Sequence, residues 1–130
     1  MLRITVMLFA ALCLFAGAAF AQQKSPGLLL QKTLHDLPDR EGMMLIVEYP
    51  PGASSAKHRH NAHTFVYVLE GSVIMQVEGG ERVTLKPGET FYETPDDIHV
   101  VSMNASETEP AKILVFFVKR QGAPLSMPVP

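Results

Sequence analysis

The chain has 130 residues, a length that fits one domain. Its 11 basic and 13 acidic side chains give a net charge of −2, which argues against binding to nucleic acid by electrostatic attraction. The net charge does not indicate any particular binding partner.

The first segment has the pattern of a secretory signal peptide. Arg3 precedes the apolar run 4–20, and residues 19–21 (Ala-Phe-Ala) match the small-residue cleavage pattern. We predict that residues 1–21 are removed and that the protein is exported, to the periplasm if the host is bacterial. The apolar run is short for a membrane span, so an uncleaved anchor is the weaker alternative and the mature chain is not expected to lie in a membrane.

Cleavage after Ala21 would leave 130 − 21 = 109 residues and would remove Cys13, the one cysteine. The mature chain would then have neither disulfides nor thiolate ligands, and histidine, carboxylate and methionine remain as metal ligands. Removal of Arg3 leaves 10 basic against 13 acidic side chains.

Short β-prone segments separated by turn residues follow the signal. Residues 22–42 are predicted to hold a polar lead-in and the first strand, and the two glycines in 78–81 predict a tight hairpin. Residues 120–130 contain three prolines and are expected to form a loose tail. The predicted strands are 28–34, 43–49, 64–69, 73–77, 82–85, 90–93, 99–103 and 113–118.

This succession of short strands, with no helical period after the signal, predicts an all-β sandwich or barrel over residues 43–119. Residues 113–118 are apolar at every position, which indicates burial on both faces. Either a second copy of the chain, giving a homodimer, or the terminal strands would cover the outer face.

Three of the five histidines, His58, His60 and His63, lie within six positions. If His58 to His60 is extended, residues two apart point to the same face, so both imidazoles can reach one centre while Arg59 points away. This spacing predicts a metal site.

The spacing around these histidines is similar to the first motif of the cupins. Gly52 is followed by five residues, then His58 and His60. The motif has a glutamate four residues after the second histidine, where this chain has Thr64, and Gly71 then falls at the expected distance.

The second cupin motif is matched in part. Gly88 opens it, Thr94 takes the proline position and Asp96 takes the glycine position. His99 falls where the motif has its histidine, whereas Asn104 comes one residue late.

The chain thus resembles a small single-domain cupin over about residues 43–119. The resemblance implies an all-β jelly-roll barrel with short N-terminal strands, and one metal centre formed by His58, His60 and His99. The interior side chains of such a barrel alternate with exterior ones.

Thr64 shares the inward parity of His58 and His60, whereas His63 has the opposite parity and is expected outside unless a bulge at residues 61–62 reverses it. These two residues are the candidates for a fourth coordination position or for a hydrogen bond to a ligand. No obvious general base accompanies the predicted site: Glu93 and Asp97 are the nearest candidates in sequence, and we expect both on exposed turns.

Apolar and aromatic side chains are expected to line the cavity. Phe91 or Tyr92 is one of them, and Tyr92 would offer a hydroxyl to a ligand if it points inward. The predicted lining residues are Val66, Met75, Tyr92, Val101 and Met103.

Replacement of the glutamate by Thr64 leaves three neutral imidazoles around a divalent ion, and the remaining positive charge favours a small anionic ligand. Imidazole binds zinc, copper, iron and nickel, so the three histidines do not decide between these metals.

Some three-histidine cupins that resemble this site are iron-dependent thiol dioxygenases, which suggests a small-molecule dioxygenase or a related oxidoreductase. The alternative is a non-catalytic cupin that binds a metal or a small anion as carrier or sensor. A sugar-modifying cupin is a third reading, which the predicted apolar interior disfavours.

Overall fold

Every regular element of residues 26–130, the part of the chain described by a computed structural model, is a β-strand. The predicted signal peptide, residues 1–21, lies outside these residues. No apolar helix long enough to cross a bilayer occurs in residues 26–130. The strands are β1 (Gly27–Thr33), β2 (Arg40–Tyr49), β3 (His58–Arg59), β4 (His63–Glu70), β5 (Val73–Val77), β6 (Val83–Leu85), β7 (Thr90–Glu93), β8 (His99–Asn104), β9 (Ala111–Arg120) and β10 (Met127–Pro128).

The strands form two five-stranded antiparallel sheets, in the orders β1-β2-β9-β4-β7 and β10-β3-β8-β5-β6. The chain changes sheet at every connection except those from β1 to β2 and from β5 to β6, so each sheet receives strands from both halves of the sequence. The predicted hairpin joins β5 and β6. The predicted all-β jelly-roll barrel is confirmed.

The hydrophobic core lies between the sheets and is built by alternation. In β9, Ile113, Val115 and Phe117 are buried while Leu114 and Phe116 are half-buried. Within a single chain the outer face of this strand is therefore only half-buried, and the prediction that a second copy of the chain completes its burial stays a prediction. β9 pairs with β2 and β4 on its two sides, and β1 extends the same sheet beyond β2 without covering its outer face.

β8 contains a bulge that changes which side chains face inward. The consecutive residues Gln76 and Val77 of β5 pair with Val101 and His99, which leaves Val100 as an extra residue. The extra residue explains why Asn104 comes one position late in the second motif. Asn104 is nevertheless buried, and its amide nitrogen donates to the backbone oxygens of Tyr49, Pro50 and Glu109.

The carboxy-terminal tail is docked against the barrel, so the prediction of a loose tail is wrong. Its strand β10 pairs with β3, and the Lys57 ammonium donates to the carbonyl oxygen of Pro130 over 3.0 Å. Proline removes backbone donors but keeps its carbonyl, so a proline-containing segment can still pair along a sheet edge.

Gly71, in the turn between β4 and β5, gives the fold a testable constraint. Its φ is +69°, and an added Cβ would lie 2.8 Å from the Cα of Ala111. Left-handed backbone costs an L-residue about 1–2 kcal/mol, and overpacking adds about 1–3 kcal/mol. We expect Gly71→Ala to lower the free energy of unfolding by about 2–5 kcal/mol, measured by urea denaturation.

Gly79 is the matched control, because its φ is +76° but an added Cβ would meet nothing within 4 Å. Gly79→Ala should therefore cost only the backbone part, about 1–2 kcal/mol. Equal losses in the two variants would contradict the steric argument.

Candidate metal centre

Three histidines converge on one point between the sheets. β3 pairs with β8 so that His58 lies directly opposite His99, and His60 follows two residues after His58. Each offers a ring nitrogen, and these three atoms lie within 4.8 Å of one another. The structure therefore brings together the three predicted ligands.

Backbone carbonyls fix the tautomers of two of these rings. The Nδ1 atom of His58 lies 2.7 Å from the oxygen of Ala56, and that of His60 lies 2.6 Å from the oxygen of Leu125. A carbonyl only accepts, so both Nδ1 atoms carry the proton and the Nε2 atoms bear lone pairs. Metal-binding histidines commonly have this arrangement, with the non-ligating nitrogen hydrogen-bonded to the protein.

Burial favours the neutral form that a metal requires. It is the largest influence on His58 and His60 and lowers the pKa of both, while the nearby Glu93 carboxylate raises them by a smaller amount. Both imidazoles are therefore available as neutral ligands at neutral pH.

The ring nitrogens are spaced as a metal ion needs them. The Nε2 atoms of His58 and His60 lie 3.1 Å apart. Two nitrogens that are each about 2.0–2.1 Å from one tetrahedral or octahedral ion lie roughly 2.9–3.4 Å apart. Since both Nε2 atoms carry lone pairs, a cation between them turns a repulsive contact into an attractive one, and the residues fit a metal ion.

Glu93 is the main difference from the sequence prediction. It was expected on an exposed turn, but its side chain is 2% exposed and faces the histidines from β7. Its Oε1 lies 3.2 Å from Nδ1 of His99. Within residues 26–130, Glu93 Oε2 and both ring nitrogens of His99 have no hydrogen-bond partner, which marks a polar cluster suited to an ion.

Thr64 and His63 lie on opposite faces of β4. Thr64 is buried and lines the cavity, where its hydroxyl donates to the oxygen of Ala62 over 3.4 Å. His63 is exposed, and its Nδ1 lies 2.7 Å from the hydroxyl of Tyr92. His63 is thus kept outside the barrel, away from the three converging histidines.

Three of the predicted cavity-lining residues do not line the cavity, whereas Val66 and Met75 do. Tyr92 is 46% exposed, because the inward neighbours on β7 are Phe91 and Glu93. Val101 and Met103 lie outside the lining, because the bulge at Val100 turns Ser102 inward in their place.

The cavity measures about 400 Å³ and is more polar than predicted. Tyr49 and Ser102 in its wall share a hydrogen bond of 2.6 Å between their hydroxyls, and Ser55 lies 3.4 Å from the Tyr49 hydroxyl. Burial raises the pKa of Tyr49, so this phenol stays protonated. The tail closes another part of the wall through Leu125, Ser126 and Pro128.

Sequence reasoning missed Glu93, Ser102 and Tyr49. Glu93 had a usable signal, since choosing Phe91 as the inward aromatic residue of β7 also turns Glu93 inward. Tyr49 shares its parity with the inward residues of β2, Leu45 and Val47, so alternation along that strand also gave a signal. Ser102 had none, because the bulge that turns it is visible only in the pairing of β8 with β5.

Comparison with solved structures shows the same fold at low identity. A Thermus thermophilus protein, TT1209, has a TM-score of 0.61 and 23% identity, over 88% of this chain and 99% of that one. The DMSP lyase DddQ from Ruegeria pomeroyi has a TM-score of 0.59 and 19% identity, over 68% of this chain. This chain spans only 43% of that lyase.

An oxalate oxidase in complex with the substrate analogue glycolate has a TM-score of 0.55 and 22% identity, over 68% of this chain and 52% of that one. At these identities the likeness shows the fold alone. A search of curated proteins finds no significant match. The profile of a family described as "Cupin domain" matches residues 45–117, which is more than half of the chain. This chain belongs to the cupin family.

Proposed function

We propose that this cupin binds one divalent transition metal through His58, His60 and His99 and presents it to a small anionic molecule in the cavity. The observation that carries the proposal is the 3.1 Å contact between two Nε2 atoms whose tautomers leave both as acceptors. A metal ion satisfies both lone pairs at once.

Zinc, copper, iron or nickel suits this donor set. A bound ion supplies Lewis acidity and, in the case of iron or copper, one-electron chemistry. The protein's part is to hold the imidazoles neutral and oriented, to exclude bulk water with the apolar wall, and to offer the Tyr49 and Ser102 hydroxyls to a ligand. With Glu93 nearby, a divalent ion still keeps net positive charge, which favours an anion.

A small-molecule dioxygenase or related oxidoreductase is the activity that we propose for this centre. The oxalate oxidase of the same fold holds glycolate, a small carboxylate, and the cavity of about 400 Å³ accommodates a molecule of that size. A non-catalytic carrier or sensor of a metal or small anion is the second candidate. It is favoured by the hydroxyl-lined wall, which binds an anion without needing a reaction.

His99→Ala tests the metal centre. The loss of one of three imidazoles should lower metal affinity by more than about 100-fold. Mutation of a residue that only hydrogen-bonds a metal ligand typically lowers the affinity by about 10–100-fold. Metal content after purification and chelator competition measure this, with His63→Ala as the matched control on the outer face. Unchanged metal content in His99→Ala would contradict the proposed centre.

Measurement of oxygen uptake distinguishes the oxidoreductase from the non-catalytic carrier or sensor. We expect the iron-loaded protein to consume oxygen with at least one member of a panel of thiols, diketones, flavonoids and small carboxylates. His99→Ala should abolish the uptake and His63→Ala should retain it. Metal-loaded protein that binds panel members without consuming oxygen would instead establish a carrier or sensor.

We also propose that the protein is exported without residues 1–21 and forms a homodimer. The dimer proposal rests on large apolar side chains that face solvent on the outer side of the first sheet and on its edge strand β1, in which every residue is exposed. These side chains are Leu28, Leu29, Leu30, Phe65, Tyr67 and Tyr92.

Native mass spectrometry of the protein secreted by its host tests both proposals together. We expect a complex of two chains that each begin at Gln22. A chain that retains residues 1–21 would contradict export by cleavage, and a monomer at micromolar concentration would contradict the dimer.

A further inference from the structure

We infer that Glu93 is a fourth metal ligand of this centre, supplied from β7 in place of the missing glutamate at position 64 on β4. The inference rests on the metal centre proposed above and concerns the one buried acidic group of residues 26–130 that faces it.

The register of the first sheet gives Glu93 access to the same point as position 64. β4 pairs with β7 so that Thr64 lies directly opposite Glu93. Directly opposite residues of an antiparallel pair have Cβ atoms about 4.5–5.5 Å apart and face the same side. Thr64 and Glu93 are both buried and both line the cavity. A carboxylate on either strand therefore projects into the same space.

Thr64 also leaves room for this carboxylate. Its hydroxyl is a poor metal ligand and donates to a backbone oxygen, that of Ala62. A glutamate at position 64 would place a second negative charge opposite Glu93, and like charges directly opposite one another destabilise a strand pair. Position 64 and position 93 thus act as alternative sources of one carboxylate.

Comparison with the other buried carboxylate of residues 26–130 shows that Glu93 has no lysine or arginine partner. Glu41 is paired with the Lys119 ammonium, and its carboxylate also accepts hydrogen bonds from Gln31 and from the backbone of Gly122. Glu93 has one oxygen 3.2 Å from a His99 ring nitrogen, without hydrogen-bond alignment, and one oxygen without a partner.

A buried carboxylate without a partner is costly, and a bound divalent ion removes that cost. Oε2 of Glu93 and both ring nitrogens of His99 are buried without a hydrogen-bond partner, and His99 converges with His58 and His60. Coordination by Glu93 satisfies the carboxylate and gives the ion its one anionic ligand. The centre then has three imidazoles and one carboxylate, with the acid coming from the neighbouring strand.

The affinity for Co²⁺, measured by chelator competition and visible absorption, tests this assignment. Glu93→Gln keeps the size of the side chain and removes its charge, and we expect it to weaken Co²⁺ binding by more than about 100-fold. His63→Ala, on the outer face of β4, is the control, and it should bind Co²⁺ as the wild type does.

Transposing the carboxylate is the sharper test. In the double variant Thr64→Glu with Glu93→Thr, the acid reaches the ion from β4, and we expect affinity within about tenfold of the wild type. Weak binding in this variant, with a wild-type thermal unfolding midpoint, would show that Glu93 acts through His99 and would overturn the assignment.

Thermal unfolding of the metal-free protein adds a readout that is independent of affinity. Glu93→Gln should raise the midpoint, because it removes a buried charge without a partner, and should reduce the upward shift that Co²⁺ produces. A lowered midpoint would overturn the assignment by showing that the carboxylate already stabilises the metal-free fold.

The two proposals fail in different ways. If the wild type binds no Co²⁺, the metal centre itself is wrong. If the wild type binds Co²⁺ and Glu93→Gln binds it equally well, the centre stands on its histidines and only the role of Glu93 is wrong.

Discussion

The convergence of the three histidines depends on the short antiparallel pairing between β3 and β8. This pairing places His58 opposite His99, and it joins a strand from the first half of the chain to one from the second half. β3 has only two residues, so it cannot hold its position by its own hydrogen bonds. β8 lies on one side of it and β10 on the other, and His58 pairs with His99 of β8 and with Pro128 of β10.

The carboxy-terminal segment, which includes β10, supports the same site on the side of β3 that faces away from β8. β10 completes the sheet beside β3, and the Leu125 carbonyl accepts the Nδ1 proton of His60. One segment therefore holds both the strand that carries His58 and the ring orientation of His60. Its prolines do not prevent this, since the contacts it makes through Leu125 and Pro130 use carbonyl oxygens.

The sequence predicted most strands because their limits are set by local turn residues and their inner faces by alternation. In β4 the alternation placed Thr64 and Val66 inside and His63 outside, where the structure has them. β10 was not predicted, because a proline-containing segment of two residues has no strand pattern of its own and forms only beside β3.

The errors inside the cavity arise where alternation is ambiguous or interrupted. On β7 two aromatic residues, Phe91 and Tyr92, are adjacent, so the pattern fits either facing, and only the pairing with β4 decides between them. On β8 the bulge at Val100 shifts every later residue by one, which exchanges Val101 and Met103 for Ser102. The facing of β7 and the bulge of β8 are both set by pairing with a neighbouring strand, which the sequence of one strand does not show.

Contacts between strands also bear on Thr64, which stands where the first cupin motif has a glutamate. A metal ion requires that its ligand atoms meet at one point and that their total charge suits it, but it does not specify which strand carries each ligand. Neighbouring strands in register present two positions to that point, here Thr64 and Glu93. The first cupin motif has its carboxylate at position 64 of β4, so it does not detect one at position 93 of β7. On the proposed assignment, the carboxylate of this centre comes from β7, the strand that pairs with β4, at the position opposite Thr64.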